Sequence, residues 1–89
     1  MTYENKYSLR VVKGRKDIHG LTLYEAEKAL AQATEEGRLL DATGIYRRQN
    51  GKMVFVAFFS EWRGCIYPAF GANDQERRCI MGDSFMVSR

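Results

Sequence analysis

One histidine and two cysteines are the residues best suited to nucleophilic chemistry. His19 stands beside Gly20, whereas Cys65 and Cys79 lie far along the chain from it. A catalytic thiol needs a neighbouring base, usually histidine, and no spacing here brings the three together. We interpret His19 as a solvated loop residue and the cysteines as small core side chains, and we predict no catalytic residue.

Metal and nucleotide sites are not indicated either. A structural zinc site uses four Cys or His ligands at short spacings, which is more than this chain contains. Gly14-Arg15-Lys16 has one glycine where a phosphate-binding loop needs several at fixed intervals. We expect no cofactor and no metal. Four acids could supply paired carboxylates for acid–base chemistry, but nothing distinguishes them from ordinary solvated loop residues: Glu61, Asp74, Glu76 and Asp83.

Arginines and aromatic residues are interleaved in the second half of the chain, a combination typical of macromolecular interfaces. Nucleic acids are also bound by cations on phosphates and by aromatic rings on bases. The predicted partner-binding residues are Tyr46, Arg48, Phe55, Phe59, Trp62, Arg63, Arg77 and Arg78. A basic loop adds candidates for contacts to phosphate or to an acidic partner: Lys13, Arg15 and Lys16.

Two elements are predicted before these residues. Apolar and polar side chains alternate over residues 6–13, which predicts a half-buried strand ending in the basic loop. Thr22 and Glu25 have the spacing of a capping box, and Gly37 suits the left-handed position after a helix. Between them runs an apolar stripe, which predicts a helix over residues 23–36: Leu23, Ala26, Leu30 and Ala33.

Asn50-Gly51 predicts a two-residue type I′ hairpin between strands at residues 39–49 and 52–60. The turn sets a register with Gln49 opposite Lys52, Arg48 opposite Met53, and Tyr46 opposite Phe55. Strict alternation then places one set of residues on one face: Thr43, Ile45, Arg47, Val54, Val56 and Phe58. The other face is predicted to carry Ala42, Gly44, Tyr46, Arg48, Met53, Phe55, Ala57 and Phe59.

Both faces of this hairpin are apolar, and a single helix can cover only one of them. The second strand is therefore predicted to be central in the sheet. The aromatic face is interpreted either as a binding platform, or as core covered by the helix or by residues 79–89. Trp62 is either an exposed anchor or a lid folded onto the core edge.

The end of the chain predicts weaker elements. Residues 65–70 are predicted to be a strand, and Pro68 favours a sheet edge for it. Short strands are candidates at residues 78–81 and 85–87, after a polar loop at 71–76. The expected fold is one α+β domain over residues 1–89, a two-layer sandwich with element order β-α-β-β-β and a further C-terminal strand as an option.

Composition and charge limit the functional classes. The 89-residue chain has a net charge of +3, which permits a nucleic-acid or acidic partner without requiring one. The N-terminus has no signal-peptide pattern, and the longest apolar run falls well short of the roughly 18–20 residues of a membrane helix. Two cysteines do not make a disulfide scaffold. We expect a cytoplasmic protein without membrane contact.

The segments at residues 7–12, 22–36 and 45–59 resemble the architecture of small phage-encoded inhibitors, including anti-CRISPR proteins. In those proteins a strand leads to a Ser- or Thr-capped helix, then to a hairpin on an Asn-Gly loop. The resemblance implies a non-enzymatic inhibitor or adaptor that docks on a host protein or nucleoprotein complex. A small basic nucleic-acid-binding regulator is the alternative, and homodimerisation is an option under either interpretation.

Overall fold

The computed structural model describes residues 5–81 and shows an α+β protein with a five-stranded antiparallel sheet and two helices. Neither helix in this part of the chain is long and apolar enough to cross a membrane. The elements are β1 Tyr7–Val12, β2 Ile18–Leu21, α1 Leu23–Glu35, β3 Leu39–Gln49, β4 Lys52–Ser60, β5 Cys65–Pro68 and α2 Asp74–Met81.

The strand order in the sheet is β2-β1-β3-β4-β5, so β4 lies inside the sheet and β5 at its edge. Both positions agree with the sequence predictions for the apolar second hairpin strand and for the strand containing Pro68. Proline is tolerated at an edge because it has no N–H to donate to a neighbouring strand.

Helix α1 begins at Leu23, as its sequence predicts, and ends at Glu35, one residue before the predicted end. The Thr22 side chain accepts from the backbone N–H of Glu25, and the Glu25 carboxylate accepts from the backbone N–H of Thr22, which completes the capping box. Glu36 caps the C-terminus, and Gly37 follows with φ of 70°. The buried stripe of Ala26, Leu30 and Ala33 packs this helix against β1 and β3.

The β3–β4 hairpin also forms as predicted near its turn. Asn50 and Gly51 have φ of 53° and 76°, as a type I′ turn requires. The pairs Gln49–Lys52, Arg48–Met53 and Tyr46–Phe55 all lie in register.

Further from the turn, a β-bulge changes which face each residue of β4 occupies. Tyr46 pairs with Phe55 but Ile45 pairs with Ala57, so Val56 is an extra residue in β4. The predicted faces of residues 57–59 are therefore wrong. Phe58 joins Tyr46 and Phe55 on one face, while Phe59 turns to the other and packs against the core.

The chain order is β-β-α-β-β-β-α, which corrects the predicted β-α-β-β-β. Residues 18–21 form an edge strand where a loop was expected, and residues 78–81 belong to α2 instead of a strand. Asn73 and Glu76 form a second capping box at the start of α2, with both hydrogen bonds at 2.8 Å. The predicted strand at residues 85–87 lies outside the described residues.

Both helices pack on the same side of the sheet, here called the helix face. The core cluster on this side includes Leu9, Leu30, Ile45, Ile66 and Ile80, which come from β1, α1, β3, β5 and α2. Within residues 5–81, no helix lies on the opposite side of the sheet, here called the row face. The alternative that placed the aromatic residues in the core under the helix therefore holds for Phe59 but not for Tyr46 and Phe55. The other alternative, coverage by residues 79–89, falls mostly on residues 82–89, which lie outside the described residues.

Candidate functional site

The row face carries four aromatic rings in continuous contact, here called the aromatic row: Tyr46, Phe55, Phe58 and Tyr67. The Tyr46 and Phe55 rings stack with centroids 4.4 Å apart and planes 15° apart. Phe55 and Phe58 follow at 5.4 Å, and Phe58 and Tyr67 at 6.3 Å. The row therefore runs across β3, β4 and β5. It exists because the bulge at Val56 turns Phe58 onto this face.

An arginine lies over each end of the aromatic row. The Arg10 guanidinium is 4.9 Å from the Tyr46 ring centroid, and the Arg63 guanidinium is 4.7 Å from that of Tyr67. Such cation–π contacts contribute about 0.5–1 kcal/mol at exposed sites. The row with its two arginines forms one continuous series of ring contacts, one stacked and two tilted, across neighbouring strands.

Asp17 holds Arg10 at its end of the row. The Nε of Arg10 donates to Asp17 at 3.0 Å, and the other carboxylate oxygen accepts from the Val11 backbone N–H. The hydrogen bond from Arg10, then that from the Val11 N–H, lowers the pKa of Asp17. The Arg10 charge is thus partly neutralised and its position over Tyr46 is supported.

The rings at the ends of the row have neighbours on both flat sides. Tyr46 has Phe55 on one side and Arg10 on the other, and Phe58 lies between Phe55 and Tyr67. The four aromatic side chains are half-buried. The Tyr46 and Phe55 planes face each other, whereas the other two ring pairs are tilted by 38° and 30°. At each end of the row an arginine on one side and an aromatic neighbour on the other leave mainly the ring edge open to a partner.

Exposed residues surround the row. Arg48 and Met53 are opposite each other on β3 and β4, on the same face as Tyr46 and Phe55, and both are exposed. Trp62 is 88% exposed in the β4–β5 turn, with the Arg63 guanidinium 6.0 Å from its ring. Of the two interpretations of Trp62, the structure therefore shows the exposed side chain.

The structure brings together five of the sequence-predicted partner-binding residues: Tyr46, Arg48, Phe55, Trp62 and Arg63. Phe59 lies on the helix face instead. Arg77 and Arg78 are on α2, where Arg77 donates to the carbonyl oxygens of Ala69 and Ala72. The proposed surface therefore excludes these three residues.

The basic loop between β1 and β2 is a separate feature that is tied to α1. Arg15 and Arg38 donate to the same Glu36 oxygen at 3.0 and 2.8 Å. The hydrogen bonds from Arg38 and then Gln32 lower the pKa of Glu36. Arg15 and Lys16 line a cleft of about 50 Å³ together with Ala29 and Ala33 of α1. The loop cations, with Lys13 before them, do not extend the aromatic row, and Glu36 neutralises part of their charge.

Three residues of the row and its ends are absent from the sequence-predicted candidates: Arg10, Phe58 and Tyr67. The alternating pattern of β1 placed Arg10 on its polar side, but no neighbouring residue in the sequence indicates that this side adjoins Tyr46. Phe58 was assigned to the wrong face because a bulge has no simple sequence signal.

Phe70, which follows β5 and is fully exposed, was predicted to be the last residue of a strand.

Ser8 and His19 form a hydrogen bond of 2.8 Å between the Ser8 hydroxyl and Nδ1 of His19. A hydrolytic triad would need an accessible serine and a carboxylate directed at the histidine. Ser8 is 4% exposed, and both oxygens of Asp17 are engaged by Arg10 and Val11. We interpret the pair as a contact between β1 and β2, where His19 lies on a strand and not in the predicted loop.

The other groups considered for chemistry also have structural explanations. Cys65 and Cys79 are not joined in a disulfide, and both are half-buried. Among residues 5–81, no group of three or more His, Cys, Asp or Glu side chains is arranged to hold a metal ion. Glu76, predicted to be a solvated loop acid, is fully buried on α2.

Comparisons with known proteins find no matching family model, no matching curated protein and no matching solved structure.

Proposed function

We propose that this protein is a small, non-enzymatic binding domain that docks on a macromolecular partner through the row face of its sheet. The biological role we propose is that of an inhibitor or adaptor acting on a host protein or nucleoprotein complex in the cytoplasm, as the architectural resemblance to phage inhibitors implies. The proposal treats the molecule as a two-layer sandwich, with the helices as the supporting layer and the row face as the recognition layer.

The single observation that supports this proposal is the aromatic row with an arginine over each end. Aromatic and arginine side chains are the residues that most often contribute large binding energies in interfaces. Here they are held in fixed positions by neighbouring strands, so little conformational entropy is lost when a partner binds. Exposed Trp62, Arg48 and Met53 adjoin the row and enlarge the contact surface.

Site-specific photocrosslinking in a lysate of the source cell tests the proposal. A photoreactive phenylalanine analogue is placed at Trp62 or Met53 on the row face, and at Tyr24 on the exposed face of α1 as the matched control. We expect the same macromolecule to be crosslinked from both row-face positions and not from Tyr24. Crosslinking from Tyr24 alone, or from none of the three, would rule out docking through the row face.

A nucleic-acid-binding regulator is the second candidate, and exposed Trp62 with Arg63 beside it is the observation that favours it. A base can stack on an exposed indole, and a neighbouring guanidinium can contact the phosphate. This function predicts binding of a short oligonucleotide at about 50 mM salt that weakens steeply as salt rises. Trp62→Ala should reduce that binding, whereas Tyr24→Ala should not.

A further inference from the structure

We infer that the partner of the row face is a protein surface with an apolar centre flanked by carboxylates. This inference rests on the proposed function, because it specifies the chemistry of the partner that occupies the same face. Three features of the described residues support it. They are the packing of the aromatic row, the arginines around the row, and the repulsion that these arginines would cause between two copies of the chain.

The packing of the row favours apolar side chains over nucleic-acid bases. Bases bind aromatic residues by stacking on the flat surface of a ring. At both ends of the row those surfaces are taken by neighbours, since Tyr46 is contacted by Arg10 and Phe55, and Tyr67 by Arg63 and Phe58. To stack on Tyr46, a base would have to separate rings that are 4.4 Å apart. Apolar protein side chains can instead pack against the ring edges without displacing any group.

The charges around the row favour carboxylates. Within residues 5–81, neither Arg48 nor Arg63 forms an ion pair, whereas Arg10 is paired with Asp17. Arg63 lies in the β4–β5 turn with its guanidinium over Tyr67 of β5, and Arg48 lies on β3 near Tyr46, so the two cations are on different sides of the row centre. An arginine fork binds a carboxylate in a bidentate manner, and such pairs specify a partner and speed its association.

The same charges argue against a second copy of this chain as the occupant. A symmetric dimer through the row face would bring Arg10, Arg48 and Arg63 of one copy against the same set in the other. Asp17 pairs with Arg10, but no ion pair within residues 5–81 offsets Arg48 or Arg63. Like charges facing each other across an interface are unfavourable, so an acidic partner of a different kind fits this face better.

Three defined probes test the inference with the full-length protein. They are a copolymer of glutamate and tyrosine, polyglutamate of the same length, and an oligothymidylate of about 20 nucleotides. Binding is measured by fluorescence anisotropy at about 50 mM salt. We expect the copolymer to bind at least about tenfold more tightly than either other probe, because only the copolymer supplies both carboxylates and apolar groups.

Paired variants locate the binding. Arg48→Ala with Arg63→Ala removes two exposed cations and should weaken copolymer binding about tenfold. Phe58→Ala tests whether the apolar centre contributes to copolymer binding. Circular dichroism is used to check that this variant is folded. The matched control is Tyr24→Ala with Lys28→Ala, which removes an exposed cation–π pair, 5.2 Å apart, from α1 on the other side of the sheet. The control should leave binding unchanged.

The outcomes separate this inference from the proposed function. Stronger binding of oligothymidylate, lost in the arginine variant, would overturn the inference while supporting a binding role for the row face. Equal binding of the copolymer and polyglutamate would also overturn it, because no apolar contribution would exist. If no probe binds but crosslinks form at Trp62, the inference about the partner's chemistry is wrong and the proposed function still stands. If no probe binds and no crosslinks form, the proposed function is wrong as well.

Discussion

The Arg47 guanidinium donates to Oε1 of Glu76 at 2.5 Å, and this buried ion pair joins β3 to α2. The Tyr7 hydroxyl donates to Oε2 of the same carboxylate at 2.6 Å, and the Asn73 backbone N–H donates to Oε1 at 2.8 Å. Arg47 also donates to the carbonyl of Gly71 at 3.1 Å. Every charged group in this cluster is therefore hydrogen-bonded, and α2 is attached to the sheet through it.

Replacing one member of the pair should be costly. Glu76→Gln keeps the size of the side chain but leaves the Arg47 charge buried without a carboxylate. Breaking a buried ion pair in this way typically costs about 3–5 kcal/mol, which we expect to see as a lower free energy of unfolding in urea. Glu35→Gln, on an exposed position of α1, is the matched control and should stay within about 0.5 kcal/mol. Similar values for both variants would contradict the structural role of Glu76.

The same carboxylate should make stability depend on pH. Burial raises the pKa of Glu76, but the hydrogen bonds from Tyr7, Arg47 and Asn73 outweigh it, so the pKa is lowered from 4.5. A carboxylate whose pKa is lower in the folded state stabilises the protein fully above its unfolded pKa. This stabilisation is lost as the pH falls through the folded pKa. Urea unfolding between about pH 7 and pH 3 should therefore show a shallower decline for Glu76→Gln than for the wild type. Parallel profiles would refute the link.

The bulge that builds the aromatic row should depend on Gly44. A Cβ atom at this position would collide with the Ala57 carbonyl oxygen and come within 2.9 Å of the Phe58 Cα. These neighbours are backbone atoms, so the two strands would have to separate. We expect Gly44→Ala to destabilise the protein by about 2–3 kcal/mol, by thermal unfolding. The control, Ala57→Gly, measures the ordinary cost of a glycine in a strand, about 1 kcal/mol. If Ala57→Gly destabilises the protein as much as Gly44→Ala, the close approach of the two strands at Gly44 does not explain the loss of stability.

Val11 should be a site where glycine is stabilising. Its φ is 65°, in the left-handed region that a β-branched residue rarely adopts, at the bulge where β1 changes register with β3. Glycine enters this region without steric cost, so Val11→Gly should raise the free energy of unfolding by about 1 kcal/mol. Lys52→Gly, at an exposed position of β4, should lower it by about 0.5–1 kcal/mol. A loss of stability in Val11→Gly would contradict the strained backbone.

Self-association should be weak, because the row face carries uncompensated positive charge. We expect light scattering coupled to size-exclusion chromatography to give the mass of one chain at low salt. Raising the salt screens like charges, so any dimer should form at high salt first. The double variant Arg48→Glu, Arg63→Glu tests the role of charge. A mixture of this variant with the wild type should form dimers more readily than either protein alone. A stable wild-type dimer at low salt would argue against the charge-based reasoning.

Local signals in the sequence determined several elements correctly. The Thr22–Glu25 capping box and Gly37 set the ends of α1, and Asn50-Gly51 set the turn and the first pairs of the hairpin. Pro68 placed β5 at an edge. Each of these features depends on residues within a few positions of one another, so short-range hydrogen bonds and backbone preferences suffice to specify them.

Two elements were not predicted, for identifiable reasons. β2 is a four-residue strand containing Gly20, so its composition is that of a loop, and only pairing with β1 makes it a strand. Polar and charged residues dominate α2, which hides its helical periodicity. The Asn73–Glu76 spacing is the same capping signal that identified α1, and it would have indicated the second helix.

The sequence by itself thus determined the α+β class, one helix, one hairpin, and a set of aromatic and arginine residues suited to binding. Only the tertiary structure decided which of those residues share a surface. A one-residue bulge at Val56 exchanged the faces of Phe58 and Phe59, and the sheet order brought Arg10 and Tyr67 to opposite ends of the row. The physical reason is that alternation defines faces only while strand register is uniform, and register depends on packing between distant segments.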